Sequence, residues 1–143
     1  MKQNLRMSPL DHTAVIEVRY AETDAMGIVH HAVYPVWFEQ ARTELMRVHG
    51  ANFAAIEAEG YHSPLLHLEL DYLRPCRYGD FPNVHVTIGQ IDPLRFEFFY
   101  EVTVNGVLCT KGSSIHIFTL HDRPCRKLPD VFMNKFFPET PKA

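Results

Sequence analysis

From Thr13 onward, apolar and polar side chains alternate: Ala14, Ile16, Val18 and Tyr20 fall on one side, Thr13, Glu17 and Arg19 on the other. This period of two predicts a half-buried strand and places Tyr20 on its buried face, at its end. Residues 1–11 carry no such period and are expected to form a loose leader. The spacing then changes. Tyr34, Trp37, Phe38, Ala41, Leu45 and Val48 recur at helical intervals, with Glu39, Gln40, Thr43, Glu44 and Arg47 opposite, which predicts a helix with one strongly apolar face. Pro35 fits only a first turn, where its missing N–H is not needed. The helix should begin between His31 and Tyr34, and Gly50 should end it. A short second helix is expected over residues 53–59, with Asn52 as N-cap and Gly60 after it.

The rest of the chain returns to period two. Leu66, Leu68, Leu70 and Tyr72 alternate with His67, Glu69 and Asp71; Val84, Val86 and Ile88 alternate with His85 and Thr87; Leu94, Phe96, Phe98, Tyr100, Val102 and Val104 form the longest regular run. "RPCRYGD" and "QIDP" separate these strands. Asn105–Gly106 is a hairpin signal that introduces a last strand over residues 107–120. The apolar "VFMNKFF" near the end reads as a short docking helix within a tail over residues 122–143. Short turns make neighbouring strands antiparallel. One domain is expected over residues 1–143: an α+β arrangement with a curved five-stranded antiparallel sheet wrapped around one long helix. One helix cannot cover five strands, so an oligomer should bury the remainder, and edge-to-edge pairing would remove an open strand edge.

Composition narrows the partners. Net charge is −3, which lacks the basic footprint of a nucleic-acid binder. No apolar run reaches the roughly 18 residues of a membrane span, and no secretory h-region is visible at the start. Cys76, Cys109 and Cys125 are odd in number and carry no C-x-x-C spacing, so reduced thiols in a cytoplasmic setting are expected.

Chemistry concentrates in "YAETDAMGIVHHAVYPVWFEQAR", residues 20–42. An acid, a glycine turn and two histidines stand between a strand and the most apolar helix. The residues Tyr20, Thr23-Asp24, Gly27-Ile28-Val29, His31, Tyr34, Phe38-Glu39 and Ala41-Arg42 resemble the hotdog-fold acyl-CoA thioesterases, in particular the 4-hydroxybenzoyl-CoA thioesterase family and its Tol-Pal-associated short-chain branch. The resemblance implies hydrolysis of acyl-CoA to free acid and CoA. It implies Asp24 as the catalytic carboxylate, the His31 backbone N–H as a donor to the thioester carbonyl, and Tyr20 as a further site residue. It also implies a homodimer or homotetramer with coenzyme A in an interface groove. His30 and Met26 depart from the usual residues of that family.

The residues support this chemistry independently. A helix start offers unpaired N–H groups and partial positive charge, which can hold a developing oxyanion. Asp24 serves either as nucleophile or as general base toward water; the sequence leaves both open. Gly27, Ile28, Val29, His30 and Tyr34 are the expected substrate contacts around it. Lys111, Gly112 and Ser113 of "TKGSS" are expected to let a slim pantetheine arm approach a strand. Arg74, Arg77, Lys111 and the Arg123/Arg126/Lys127 group are the cations available to phosphates. Adjacent His30 and His31 do not share a helix face, and no zinc spacing accompanies them, so no metal is expected; coenzyme A arrives with the substrate and no separate cofactor is needed. An acyl carrier protein as the acyl donor, a hotdog dehydratase, and a non-catalytic acyl-thioester-binding module are the alternative readings.

Overall fold

In the computed structural model, residues 5–51 and 53–139 are described. The chain runs through β1 (Arg6–Val15), a 3-10 turn (Tyr20–Glu22), α1 (Tyr34–Val48), α2 (Phe53–Ala58), β2 (Tyr61–His62) and β3 (Leu65–Tyr72). It continues through β4 (Asn83–Gln90), β5 (Phe96–Val104), β6 (Val107–His116), β7 (Thr119–Leu120), β8 (Arg123–Pro124) and α3 (Asp130–Phe136). Five strands form one antiparallel sheet in the order β1-β4-β5-β6-β3. Three very short strands make a second sheet, β2-β7-β8. Among the described residues no helix is long and apolar enough to cross a membrane.

The sheet and α1 share one core. Val84, Val86 and Ile88 of β4 and Phe96, Phe98, Tyr100 and Val102 of β5 are buried with Tyr34, Trp37, Phe38, Ala41 and Leu45 of α1. The contact is close where Phe38 stacks on Tyr100, ring centroids 4.1 Å apart. Gly112 of β6 makes this approach possible: a Cβ there would sit 2.8 Å from Phe38 Cε2. Asn105 and Gly106 both have positive φ (49° and 77°), as a two-residue hairpin between β5 and β6 requires. The "VFMNKFF" segment docks as α3, burying Phe132, Phe136 and Phe137, and Phe132 packs against Phe96 and Phe118.

Four expectations change. Residues 6–11, expected to be part of a loose leader, belong to β1, paired with β4. The first strand ends at Val15; Ile16 and Val18 still bond back to Pro82 O and Asp80 O, but the 3-10 turn then breaks the alternation. Tyr20 is therefore 77% exposed rather than buried, and Glu22, two residues on, takes the inward place. The expected apolar face of β3 is only partly covered: Leu68 and Leu70 are half-buried, whereas Leu66 and Tyr72 are exposed. β3 is one of the sheet's two outer strands, and no strand among the described residues pairs with its free edge. The second helix stops at Ala58, and Asn52, expected as its N-cap, lies outside the described residues.

Candidate active site

The segment between the 3-10 turn and α1 is built as a small hairpin held from both sides. Thr23 and Val29 form an antiparallel bridge, and Ile28 bridges to Arg77. Asp24 N–H donates to Ile28 O (2.8 Å) and Gly27 N–H donates to Asp24 O (3.0 Å). Gly27 turns at φ 76°, a conformation that an L side chain resists. Val29 N–H donates to Cys76 O (2.8 Å), which ties the hairpin to the segment after β3.

Glu22 anchors the arrangement from below. Its carboxylate is buried (6% exposed). Oε1 accepts the Arg19 N–H (2.8 Å) and Oε2 accepts the Trp37 Nε1–H (3.1 Å). Its backbone oxygen accepts the His30 N–H (2.8 Å). One residue thus connects the strand end, the Thr23–Val29 hairpin and the first turn of α1. The expected site list lacked Glu22; its sequence signal is an acid two residues before Asp24, in the inward phase.

At the helix mouth each amide can be followed. His30 N–H is taken by Glu22, Ala32 N–H donates to His30 Nδ1 (3.1 Å), and Val33 N–H donates to His30 O (3.0 Å). The His31 N–H has no acceptor among the described residues. The next peptide, His31–Ala32, is held at both polar groups: the Tyr72 hydroxyl donates to His31 O (2.8 Å) while its N–H, that of Ala32, donates to His30 Nδ1. The His30 and His31 rings stack at 4.1 Å. Asp24 Oδ1 accepts the Met26 N–H (2.8 Å), which leaves Oδ2 without a hydrogen-bond partner among the described residues.

Asp24, Ile28, Val29, His31 and Tyr34 line one cavity of about 340 Å³ together with Met26, Tyr72, Leu73, Arg74 and Pro75. A single hollow thus holds a carboxylate with a free oxygen and residue His31, whose amide is unpaired, among mostly apolar walls. Tyr34 is buried against Trp37 and Tyr72, and burial first, then Cys76, pushes its phenol well above the usual range. The Cys76 thiol is pushed up to about 12, chiefly by burial. A thiol so protonated is no nucleophile near neutrality. Among the described residues no cluster of three or more metal-ligating side chains occurs.

The remaining expected site residues lie elsewhere. Tyr20 lies outside this cavity and packs edge-on against Tyr78, centroids 5.6 Å apart. His30 is exposed and works as the cap just described. Gly112 packs closely against Phe38 of α1 and also borders the hollow next described. Lys111 and Ser113 point to the opposite side of the sheet, around a hollow of about 300 Å³ that they share with Glu69, Asp71 and Glu101. Within one chain, "TKGSS" is therefore not joined to Asp24. Arg74 does reach the cavity; Tyr72, Leu73 and Pro75 beside it were expected only as strand end and turn.

Comparison with known proteins agrees with this architecture. A family model described as the thioesterase-like superfamily matches residues 18–136. YneP of Bacillus subtilis, a protein named as an acyl-CoA thioesterase, is 40% identical over 103 residues, covering 71% of this chain and 75% of YneP. Among solved structures, the DHNA-CoA thioesterase of Staphylococcus aureus superposes with a TM-score of 0.73 at 32% identity, over 90% of this chain and 84% of its own. TT1821 of Thermus thermophilus does so at 0.80 and 32%, over 85% and 92%. The chain belongs to the thioesterase-like superfamily.

Proposed function

We propose that the protein hydrolyses acyl-CoA thioesters, with Asp24 acting at the acyl carbon and the His31 N–H holding the carbonyl oxygen. The observation that carries this reading is the coincidence, in one cavity, of the free Asp24 Oδ2 with His31 and its unpaired amide. As charge develops on the carbonyl oxygen, an amide already in place at a helix start stabilises it without reorganisation. In the nucleophilic route, Asp24 Oδ2 bonds to the acyl carbon and the C–S bond breaks. Coenzyme A leaves as the thiolate, and water then splits the mixed anhydride to regenerate the carboxylate. In the general-base route, Oδ2 takes a proton from water as that water attacks. Both routes consume one water and release acid and thiol, and neither needs a metal or a separate cofactor.

The working unit in this reading is at least a homodimer. β3 has an unpaired edge, and Leu65, Leu66, Tyr72 and Leu73 along it are exposed. Antiparallel pairing of β3 with a second β3 would remove that edge. It would also set the end of one β3, which walls the Asp24 cavity, beside the start of the other, where His62, Ser63 and Pro64 line a second cavity of about 680 Å³ with Glu39 and Arg42. The three free cysteines fit a cytoplasmic location.

Thiol release from a panel of acyl-CoAs, wild type against Asp24→Asn, tests the catalytic part. Loss of about 10²–10⁴-fold in kcat by the folded variant is expected. Full turnover by that variant removes Asp24 from the chemistry. Sedimentation of wild type and Leu66→Lys, at an exposed position of β3, reports the oligomer: the variant should be the smaller species.

A further inference from the structure

The hollow of about 680 Å³ has no part in the single-chain site around Asp24. Its polar walls are Glu39 and Arg42 of α1, Glu57 of α2, His62 and Ser63 ahead of β3, and Asp122 between β7 and β8. Among the described residues that line it, Arg42 is the only arginine or lysine. This side chain is half-buried, and no acid holds it. Nη1 donates to the Tyr100 hydroxyl (3.3 Å), and among the described residues the guanidinium forms no ion pair.

Tyr100 is bonded in turn to Ser114, Ser114 to His116, and His116 to Ser63 O. Tyr100, Ser114 and His116 are buried. Because arginine can only donate, the direction of the whole chain is set. Tyr100 passes its hydrogen to Ser114 Oγ, Ser114 passes its own to His116 Nε2, and the Nδ1–H of a neutral imidazole ends on Ser63 O. Every hydroxyl hydrogen is thereby committed, and one corner of the guanidinium is fixed against the core. The N–H groups of Arg42 that do not meet Tyr100 remain for a ligand in the hollow. Glu39, Glu57 and Asp122 share that space, so an anionic group there would meet like charge. An uncharged oxygen can accept from Arg42 without that cost. A methyl group would displace water from the guanidinium and return no hydrogen bond.

We propose that Arg42 of one subunit selects the acyl group of the thioester cleaved by the partner subunit's Asp24, favouring acyl chains that end in an uncharged hydrogen-bonding oxygen over plain aliphatic ones. Tyr100, Ser114 and His116 are positioning residues: they hold the guanidinium and touch no substrate. This rests on the acyl-CoA reading above and on β3 pairing, which sets the hollow beside the partner's Asp24 cavity. It adds to them a substrate class and the residue that selects it.

The decisive comparison is between 4-hydroxybutanoyl-CoA and pentanoyl-CoA, which differ by a terminal hydroxyl in place of a methyl. Wild-type kcat/KM should favour the hydroxylated thioester roughly 10- to 100-fold, the effect of one hydrogen bond to a charged group. In Arg42→Met that ratio should fall to about one. Tyr100→Phe keeps the ring stacked on Phe38 and should lower the ratio several-fold; a structural role alone would slow both thioesters alike and would remove the chain from the proposal. A mixed dimer of one Asp24→Asn chain and one Arg42→Met chain, isolated on two affinity tags, shows which subunit supplies the arginine. Its one working aspartate lies on the Arg42→Met chain, so a selector from the partner gives the wild-type ratio. A wild type without the preference, an Arg42→Met variant that keeps it, a stronger preference for succinyl-CoA, or a mixed dimer that behaves like Arg42→Met would each overturn the proposal. Full turnover by the Asp24→Asn homodimer would sink the catalytic reading instead, and the ratios in wild type and Arg42→Met would still decide this one. If wild type turned over neither thioester, their dissociation constants for wild type and Arg42→Met would decide it.

Discussion

The middle of α1 and its N-terminal mouth treat polar groups in opposite ways. Beneath its middle, a chain of hydrogen bonds crosses the core: Arg42 Nη1 donates to Tyr100 Oη (3.3 Å), Tyr100 Oη meets Ser114 Oγ (2.6 Å), Ser114 Oγ meets His116 Nε2 (2.8 Å), and His116 Nδ1 reaches Ser63 O (3.3 Å). Each of these side chains has its partner, as burial demands. At the N-terminal mouth, neighbouring groups are bonded so that one amide and one carboxylate oxygen are left over, facing a cavity. The first region resembles a Ser–His pair on paper, but its atoms face one another. The second does not resemble any familiar triad, yet its residues line a cavity and include an amide and a carboxylate oxygen with no partner among the described residues. In the proposed mechanism, reactivity follows from what is left unsatisfied beside open space, rather than from which residue types meet.

Glu22 is the strongest test of that contrast, because it is buried like the interior chain but serves the mouth. Glu22→Ala leaves the Arg19 N–H and the buried Trp37 Nε1–H without acceptors. A loss of about 3 kcal/mol of stability is expected, since these are bonds to a charged group, together with a large fall in turnover. Urea unfolding at neutral pH measures the first and acyl-CoA hydrolysis the second. Unchanged midpoint and rate would mean that the hairpin is held some other way.

The interior chain makes its own prediction through pH. Burial first, then the Arg42 charge, lowers the His116 pKa from 6.5 to about 4. A histidine with a depressed folded-state pKa binds fewer protons folded than unfolded. Its contribution is therefore complete above pH 6.5 and is lost as pH falls from there toward 4. At pH 5 the loss amounts to about 2 kcal/mol. Unfolding free energies at pH 7 and pH 5 should differ by that amount more in wild type than in His116→Gln. Equal pH dependence in the two proteins would show that His116 does not carry the effect.

Much of this was readable from the sequence, for physical reasons that also mark where reading stopped. Period two over Val84–Ile88 and Phe96–Val104 reports burial of one sheet face directly, so those strands lie where alternation places them. Asn105–Gly106 identifies its hairpin through the need for positive φ. The Asp24–His31 segment stands out because the acid, the glycine and the helix start are contiguous. Tyr20 misled because alternation has meaning only while a strand lasts, and the 3-10 turn ends it two residues before Glu22 turns inward. β2, β7 and β8 are two residues each, too short to carry any period. Tyr72 meets His31 across 41 residues of chain, a contact no local pattern encodes. The close approach of Phe38 to Gly112 is likewise between residues distant in sequence.

Tyr72 sharpens the comparison at intermediate size. Tyr72→Phe keeps the ring against Tyr34 and removes only the hydroxyl that holds His31 O. The tyrosine is exposed at a sheet edge, so stability should change by no more than about 1 kcal/mol. The rate should change more. Freed at its carbonyl, the His31 segment samples orientations in which its N–H misses the substrate oxygen, and kcat should fall roughly tenfold with KM little altered, the pattern of an interaction made in the transition state. A drop in stability as large as the drop in rate would instead make Tyr72 an ordinary packing residue.

The smallest expected effect belongs to His30, and it asks most directly whether the mouth works by bookkeeping of amides. His30 Nδ1 accepts the Ala32 N–H and its backbone oxygen accepts the Val33 N–H, so the imidazole does what an asparagine or serine side chain does at a helix N-cap. His30→Ala frees the Ala32 amide and loses the stack on His31. A side-chain-to-backbone bond of this kind contributes about 1 kcal/mol to holding the turn ahead of α1; if that energy separates the productive His31 orientation from the relaxed one, kcat should fall roughly fivefold. Asparagine carries an acceptor at nearly the same reach but cannot stack as an imidazole does. If capping is the role, His30→Asn restores turnover and His30→Phe, which keeps an aromatic ring without the acceptor, does not. The reverse order, with phenylalanine active and asparagine impaired, would show that ring stacking rather than the Ala32 hydrogen bond holds His31 in place.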